Sequence, residues 1–175
     1  MKSVYVTMQG VSALLMHAFP LEPVEALEKK TPEEQAEHGA YRDPESGMLY
    51  IPAVALQRGL INGATFSKGK GRATLQKPVA ASVLVAPERL DLKVKTYRVD
   101  TRPVVMPSTR GRVLRHRPRL DQWEVSCEIQ YDENLITETQ LRRVVDDTGT
   151  RVGLLDFRPA CKGPFGRFMV TAWKS

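Results

Sequence analysis

Arginine is concentrated in one stretch of the chain, residues 98–119, which we call the arginine arm. Seven of its 22 residues are arginine, and Asp100 is the only acidic residue among them. A guanidinium group holds phosphate with a planar fork of donors and can also stack on a base. The arm is therefore predicted to bind phosphate groups; packing against an acidic neighbouring subunit is the alternative. Its cationic residues are Arg98, Arg102, Arg110, Arg112, Arg115, Arg117 and Arg119, with His116 among them.

A second group of cations alternates with glycine in residues 68–77, the basic loop. Lysines on a flexible segment can follow a chain of phosphates without demanding one geometry. The segment lacks the Gly-Lys-Ser/Thr ending of a P-loop. It is predicted to contact phosphates, and an exposed loop without a ligand is the alternative. The cations are Lys68, Lys70, Arg72 and Lys77, and the glycines between them are Gly69 and Gly71.

Glycine recurs near the end of the chain, from Gly153 to Gly166. Because glycine has no side chain, such positions allow the backbone to approach a ligand closely. A structural turn before the last strand is the alternative. We call residues 162–168 the glycine loop. Its glycines are Gly163 and Gly166, and the cations in and near it are Arg158, Lys162 and Arg167.

The net charge of +6 is unevenly distributed along the chain. Residues 1–57 sum to −4, residues 58–119 to +12 and residues 120–175 to −2. A segregation of this size creates a local field that attracts a polyanion. The alternatives are a basic face without a partner, or one that meets the acidic first third of a neighbouring copy.

Composition limits the class of protein. A chain of 175 residues with 42% hydrophobic residues is long enough for one domain with a real core. No apolar run could span a membrane, and residues 1–9 alternate like a strand and do not resemble a signal peptide. Cys127 and Cys161 form neither a disulfide framework nor a zinc site. We expect a cytoplasmic protein with reduced thiols, no metal and no cofactor.

Hydrophobic periodicity predicts the elements that must position these cations. Pro52 favours a helix over 53–65, and Thr137 with Gln140 predicts a second helix with a capping box, ending near Gly149. Residues 25–37 are acidic, with a helix start at Thr31, and are expected to be a mobile surface excursion. Strands are predicted at 2–9, 79–85, 90–99, 123–131 and from Phe168, and residues 103–115 are predicted to form an extended hairpin.

This order of elements corresponds to an α+β fold with a ferredoxin-like or RRM-like βαββαβ core. The chain is predicted to be a single domain, 1–175, with insertions at about 20–46 and 100–119. The first insertion is the acidic excursion, and the second is the basic hairpin arm. Only Tyr97, Trp123 and Tyr131 are aromatic residues that the interior strands could offer to bases, so stacking is expected to be secondary.

Three segments together resemble the RAMP superfamily of CRISPR proteins, particularly the repeated backbone subunits of effector complexes. They are the opening strand with Gly10, the segment Leu49-Tyr-Ile-Pro-Ala-Val-Ala-Leu-Gln-Arg-Gly-Leu, and the glycine loop Lys162-Gly-Pro-Phe-Gly-Arg-Phe. The resemblance covers about a third of the chain and implies a modified RRM fold. It further implies an antiviral ribonucleoprotein in which copies of the chain coat guide RNA beside other effector-complex subunits.

In that family, the first helix and the glycine loop lie near the guide RNA, and a basic hairpin thumb reaches over the strand. The resemblance therefore assigns residues 103–117 to a thumb and predicts RNA contacts in the helix and the loop. With the cations above, the predicted RNA-binding residues are Gln57, Arg58, Asn62, Lys68, Lys70, Arg72, Lys77, Arg110, Arg112, Arg115, His116, Arg117, Lys162, Gly163, Gly166 and Arg167.

Catalytic residues are sparse. Only His17, His38 and His116 are histidines, and no paired carboxylates, Ser-His-Asp order or metal-ligand spacing is evident. We expect a non-catalytic subunit, and Asp43 is better explained by a turn than by chemistry. One alternative is a metal-independent endoribonuclease of RAMP type, with His17 as general acid or base. Another is a phage-type protein that binds or anneals single-stranded DNA.

Overall fold

The computed structural model describes residues 1–175 and contains nine strands and five α-helices. Short 3₁₀ turns cover Ala64–Phe66 and Pro159–Cys161, and a π-helical turn covers Thr148–Val152. In chain order the elements are β1 (Lys2–Gly10), β2 (Leu14–Leu15), α1 (Val24–Glu28), α2 (Pro32–His38), β3 (Tyr50–Pro52), α3 (Ala53–Gly63), α4 (Gln76–Ser82), β4 (Leu84–Ala86), β5 (Arg89–Asp91), β6 (Arg98–Val105), β7 (Arg112–Leu120), β8 (Glu124–Tyr131), α5 (Glu138–Asp147) and β9 (Phe168–Lys174).

The main sheet has four strands in the order β4-β8-β1-β9, and every neighbouring pair is antiparallel. The chain passes through α3 between β1 and β4, and through α5 between β8 and β9. A second sheet has the order β2-β7-β6, and β3 pairs with β5. The predicted α+β class is confirmed.

One face of the main sheet is buried, and the other is open. Val4, Val6 and Met8 of β1 join the core with apolar residues of α3 and α5, whereas Tyr5 between them is exposed. This follows from the period of two along a strand, which sends alternate side chains to opposite faces. The predicted strands at 2–9 and 123–131 and the strand from Phe168 are confirmed.

Helix α3 packs closely because it presents glycine where other residues would collide. A Cβ atom at Gly63 would overlap the side chain of Thr148, and one at Gly59 would lie 3.2 Å from Thr148 Cγ2. The helix predicted over 53–65 is confirmed, with its last residues in the 3₁₀ turn. Helix α3 is therefore held against the end of α5.

Two predicted strands are wrong in part. Residues 79–82 of the predicted strand 79–85 belong to helix α4, which spans Gln76–Ser82, and only Leu84–Ala86 pair in the sheet. The predicted strand 90–99 ends after Asp91, whose carboxylate accepts a hydrogen bond from the Lys93 amide, and Lys93 has a φ of 56°. A residue with positive φ leaves the extended conformation, so the regular strand is interrupted until β6 begins at Arg98, although the Leu49 amide still donates to the Val94 carbonyl at 2.8 Å.

The capping box at the start of α5 is confirmed, because Thr137 Oγ1 accepts from the Gln140 amide and Gln140 accepts from the Thr137 amide. The prediction that this helix ends near Gly149 is wrong. The helical path continues through the π-helical turn to Gly153. Gly149 is needed for packing, since a Cβ there would overlap the Phe168 carbonyl. Gly153, with a φ of 72°, ends the helical path in the left-handed region.

Part of the acidic excursion, residues 25–37, packs against the rest of the protein, although its polar composition predicted a mobile segment. A capping box of Thr31 and Glu34 starts α2, which confirms the predicted helix start. Ala36 is buried, and Gly39 lies close to Pro118 of β7. Helix α1, by contrast, has no buried residue. The expectation of a mobile excursion is therefore corrected for α2, which packs on the arginine arm.

The arginine arm is a hairpin, as predicted. Strands β6 and β7 pair from Arg98↔Arg119 to Val105↔Arg112, and β2 adds a third strand at the base. None of the helices in the molecule has the length and apolar character needed to cross a bilayer.

Candidate functional site

The base of the arginine arm is an internal ion-pair network. Arg119 Nη1 lies 3.1 Å from Asp100 Oδ2, and Arg119 Nε lies 2.8 Å from Asp121 Oδ1. Arg102 pairs with the same Asp100, and Arg98 pairs with Asp121. The Asp100 side chain is only 9% exposed, so its charge depends on these arginines. Three arginines predicted to meet phosphate are thus occupied by two aspartates.

The same network stacks on the glycine loop. The guanidinium carbons of Arg102 and Arg119 lie 4.6 and 5.4 Å from the ring centroid of Phe165, which is 4% exposed. A cation over an aromatic face is attracted by the ring quadrupole. The arm and the glycine loop therefore form one packed unit.

The pKa of Asp100 reflects its surroundings. Burial pushes the pKa of this carboxyl upward, but the hydrogen bonds from Arg102 and Arg119 outweigh burial and hold it below the usual value. The pKa of Arg119 is raised, mainly by its hydrogen bond to Asp100. Both groups stay charged near neutral pH.

Arg117 pairs with a different carboxylate. Its Nη1 lies 2.9 Å from Asp156 Oδ2, but Arg117 Nε and Asp156 Oδ2 are both buried and neither makes a well-aligned hydrogen bond. The Asp156 amide donates to the Leu15 carbonyl, which fixes the segment after α5 beside the strand β2. The pair balances charge without satisfying every polar atom.

Only the tip of the arm presents free arginines. Arg115 contacts Met106 Sδ at 3.6 Å and Glu28 at 3.8 Å, and His116 Nδ1 lies 2.7 Å from Thr101 Oγ1. Arg110 and Arg112 are exposed and make no ion pair. Five of the seven arginines of the arm are therefore engaged within the chain, which leaves Arg110 and Arg112 as the arginines available to phosphate.

The glycine loop is packed against its own chain. A Cβ at Gly163 would overlap the Phe157 carbonyl, and one at Gly166 would overlap the Leu154 carbonyl. Both glycines are buried, and the Gly166 amide donates to the Ala13 carbonyl at 2.8 Å. Their lack of a side chain serves internal packing, which corrects the expectation that Gly163 and Gly166 expose backbone to a ligand. Lys162 and Arg167 of the loop are exposed and make no ion pair.

The basic loop has a local structure that leaves its charges outside. Ser67 at its start is buried and donates to Asp147 at 3.1 Å. Lys68 bridges to Thr74, and the Gly69 amide donates to the Ala73 carbonyl at 2.8 Å. The loop is thus closed by backbone pairing. All four of its cations are exposed and unpaired, namely Lys68, Lys70 and Arg72 in the turn and Lys77 on α4.

Two of the three predicted residues on α3 are available. Gln57 is not, because its Nε2 donates to the Val83 carbonyl at 2.6 Å and its Oε1 accepts from the Val85 amide at 3.1 Å. Its amide joins α3 to the edge strand β4. Arg58 and Asn62 are exposed, and Arg58 has no ion pair.

Arg58 lies in a cleft of about 310 Å³ between the start of α3 and the segment after α5, which we call the α3 cleft. His17 lies there without a hydrogen-bond partner, and partial burial, followed by Arg117, lowers its pKa against the opposing effect of Asp156. The sequence named Arg158 only as a cation near the glycine loop and did not predict Tyr41 or Asp156, since no linear pattern brings these residues to α3. The cleft is lined by His17, Tyr41, Pro52, Val54, Ala55, Arg58, Leu155, Asp156 and Arg158.

Other chemically competent residues have internal explanations. Asp43 Oδ1 accepts from the Glu45 and Ser46 amides, and Arg89 pairs with its other oxygen, which together lower the pKa of Asp43 to about 2. This is the predicted turn. Burial raises the pKa of the Cys127 thiol to about 12. No three His, Cys, Asp or Glu side chains converge as metal ligands.

The three aromatic residues considered for stacking are engaged. Trp123 is buried and donates to the Ser12 carbonyl at 2.8 Å, Tyr131 is 2% exposed, and Tyr97 donates to Glu37 at 2.6 Å. Tyr5 is 58% exposed on the open face of the sheet and was not among the predicted stacking residues. The alternation of β1 shows which face Tyr5 occupies, but it does not show that this face is open.

Comparisons with known proteins give no assignment: no protein-family model matches the sequence, and no curated protein matches it significantly.

Proposed function

We propose that the chain binds single-stranded nucleic acid through its phosphates, without reading sequence. The observation that supports this most directly is the basic loop, whose cations have no internal carboxylate partner. Six of the 15 cations between residues 58 and 119 are paired, and nine are not. The unpaired nine are Arg58, Lys68, Lys70, Arg72, Lys77, Lys93, Lys95, Arg110 and Arg112.

The topology supports classifying the core as ferredoxin-like, of RRM type. Numbered among themselves, the strands β1, β4, β8 and β9 have the spatial order second, third, first, fourth, with a helix after the first and after the third. A βαββαβ core has this order. In such a fold the open face of the sheet is one route for RNA. Here that face carries Glu124 and Glu128, whose negative charges repel phosphate, and it has few aromatic residues for stacking. Contacts with phosphate are therefore favoured elsewhere on the molecule.

The nucleic acid is proposed to be guide RNA, coated by several copies of the chain in a CRISPR effector complex with other subunits. This part depends on the resemblance of Leu49–Leu60 and of the glycine loop to RAMP backbone subunits. The unpaired cysteines Cys127 and Cys161 favour the reducing cytoplasm as the location. The chain is proposed to be non-catalytic and to need no cofactor.

Salt dependence of RNA binding tests the proposal. Fluorescence anisotropy with a labelled single-stranded RNA, between about 50 and 200 mM salt, gives the slope of log affinity against log salt. Replacing Lys68, Lys70 and Arg72 with glutamine is expected to reduce that slope by about 2, because each lost phosphate contact removes about 0.7.

A charge-matched control separates contact from net charge. Lys29, Arg143 and Lys174 are exposed and unpaired but lie outside residues 58–119. Replacing these three with glutamine is expected to leave the slope near that of the wild type. Equal slopes for the two triple variants would exclude the basic loop as the interface, and preference for DNA of the same sequence would favour the DNA-binding alternative.

An endoribonuclease is the second candidate, favoured by the position of His17 in the α3 cleft with two arginines and Tyr41. It predicts metal-independent RNA cleavage that is lost in His17→Ala. Intact RNA after prolonged incubation with the wild type, or equal cleavage by both proteins, would eliminate it.

A further inference from the structure

The α3 cleft combines free cations with an apolar wall. Arg58 makes no ion pair, and Arg158 uses only Nη1, which donates to the Leu155 carbonyl at 2.8 Å. The remaining donors of both guanidiniums are therefore unassigned. Val54, Ala55 and Leu155 supply the apolar side of the same cleft. Sites for small ligands combine apolar walls with a few convergent polar groups, and four of the nine residues that line this cleft are hydrophobic.

The charges at the cleft sum to +2 when Arg117, which pairs with Asp156 but is not among the lining residues, is counted. The carboxylate of Asp156 is the only acidic group in the lining, and Arg117 balances it at 2.9 Å. His17 contributes little charge at neutral pH because its pKa is lowered. Arg58 and Arg158 remain uncompensated. Two arginines match the charge of a phosphomonoester, which is close to −2 at pH 7, better than that of a phosphodiester.

The size and walls of the cleft suit one nucleotide. A volume of about 310 Å³ lies at the lower end of the range for ligand pockets, about 300–1,000 Å³. Tyr41 lines it and is half-buried, and its ring packs 5.8 Å from that of Tyr50, which holds it in place.

We propose that the α3 cleft binds the terminal nucleotide of a strand, with its phosphomonoester on Arg58 and Arg158. This deepens the proposed function and depends on it for the identity of the ligand as a strand end. The basic loop then holds internal phosphates, whereas the cleft recognises an end. The two surfaces differ in their ligand, a monoanionic diester for the loop and a dianionic monoester for the cleft.

Calorimetry with small nucleotides tests the cleft directly. AMP has a dianionic monoester, and cyclic AMP has the same base with a monoanionic diester. AMP is expected to bind about tenfold more tightly than cyclic AMP. Arg58→Gln or Arg158→Gln is expected to lower the affinity for AMP about tenfold, which is the effect of losing one hydrogen bond to a charged group. Arg143→Gln, an exposed and unpaired arginine on α5, is the matched control.

A second measurement uses single-stranded RNA of one sequence with a phosphate at the 5′ end, at the 3′ end or at neither. One terminal phosphate is expected to increase affinity about tenfold in the wild type and to have no effect in Arg58→Gln. The inference is overturned if AMP and cyclic AMP bind equally, or if neither terminal phosphate matters while RNA still binds with its salt slope. Absence of any RNA binding by the wild type overturns the proposed function, and the strand-end assignment with it.

Discussion

The arginine arm and the basic loop have similar charge in the sequence but different surroundings in the fold. At the base of the arm, Asp100 and Asp121 neutralise arginines that stack on Phe165. In the basic loop, backbone pairing between Lys68 and Thr74 closes the turn, and no carboxylate lies within ion-pair distance of its cations. Most of the arginines of the arm are therefore neutralised within the chain, and two of them, Arg102 and Arg119, also hold the arm to the glycine loop.

The difference shows that the density of cations in a sequence does not measure the charge available to a ligand. Arginine can hold two carboxylates and stack on a ring at once, so it suits internal networks. Lysine on a glycine-rich turn has neither partner here. Contacts with a polyanion are therefore expected from the loop, from the tip of the arm and from the α3 cleft, and not from the base of the arm.

The largest expected effect is on stability at the base of the arm. Phe165→Ala removes a buried ring that supports Arg102 and Arg119 and leaves a cavity in its place. We expect a loss of about 3–5 kcal/mol in the free energy of unfolding, measured by urea denaturation. A loss under about 1 kcal/mol would mean that the arm does not depend on the glycine loop for its position.

A smaller effect is expected from one charge in each region. Arg119→Gln removes contacts with Asp100 and Asp121, and because Asp100 is nearly buried the expected loss is about 1–3 kcal/mol. Lys70→Gln removes one exposed charge and is expected to change stability by less than about 0.5 kcal/mol. Equal losses of stability in the two variants would mean that the charges of the arm and of the basic loop do not differ in their contribution to folding.

Acid should weaken the arm and leave the loop unaffected. The folded-state pKa of Asp100 lies below its ordinary value of 3.8, so its ionised form stabilises the fold above that pH. This contribution is lost as pH falls through the folded pKa. The difference in unfolding free energy between the wild type and Asp100→Asn is therefore expected to shrink below about pH 4. A difference that stays constant there would contradict the proposed pairing.

The smallest expected effect is at the tip of the arm. Replacing Arg110 and Arg112 with glutamine should reduce the salt slope of RNA binding by about 1.4, because two free cations are lost. Arg115→Gln should change the slope little, since Arg115 already contacts Met106 and Glu28. A larger change from Arg115 than from the tip pair would place the interface along the arm instead of at its end.

Local patterns predicted much of the fold. The strands at 2–9 and 123–131, the helix after Pro52, the hairpin arm and the capping box at Thr137 follow from alternation, fixed proline geometry and side-chain caps, all of which act over a few residues. The strand predicted at 79–85 failed because α4 and β4 share one apolar run, and a short apolar run does not distinguish helix from strand. The predicted helix end at Gly149 was wrong because this glycine is required by close packing against Phe168, which is distant in sequence.

The sequence by itself determined which residues are charged, where the chain turns and which faces are apolar. Only the tertiary structure decided which of those charges are free, because Asp156 reaches Arg117, Gln57 reaches β4 and the α3 cleft collects His17, Arg58 and Arg158 from three separate segments. Ion pairing and burial depend on distances between residues far apart in the chain. A linear pattern carries no measure of those distances. The sequence therefore does not distinguish an arginine that is free to bind a ligand from one that is held in an internal ion pair.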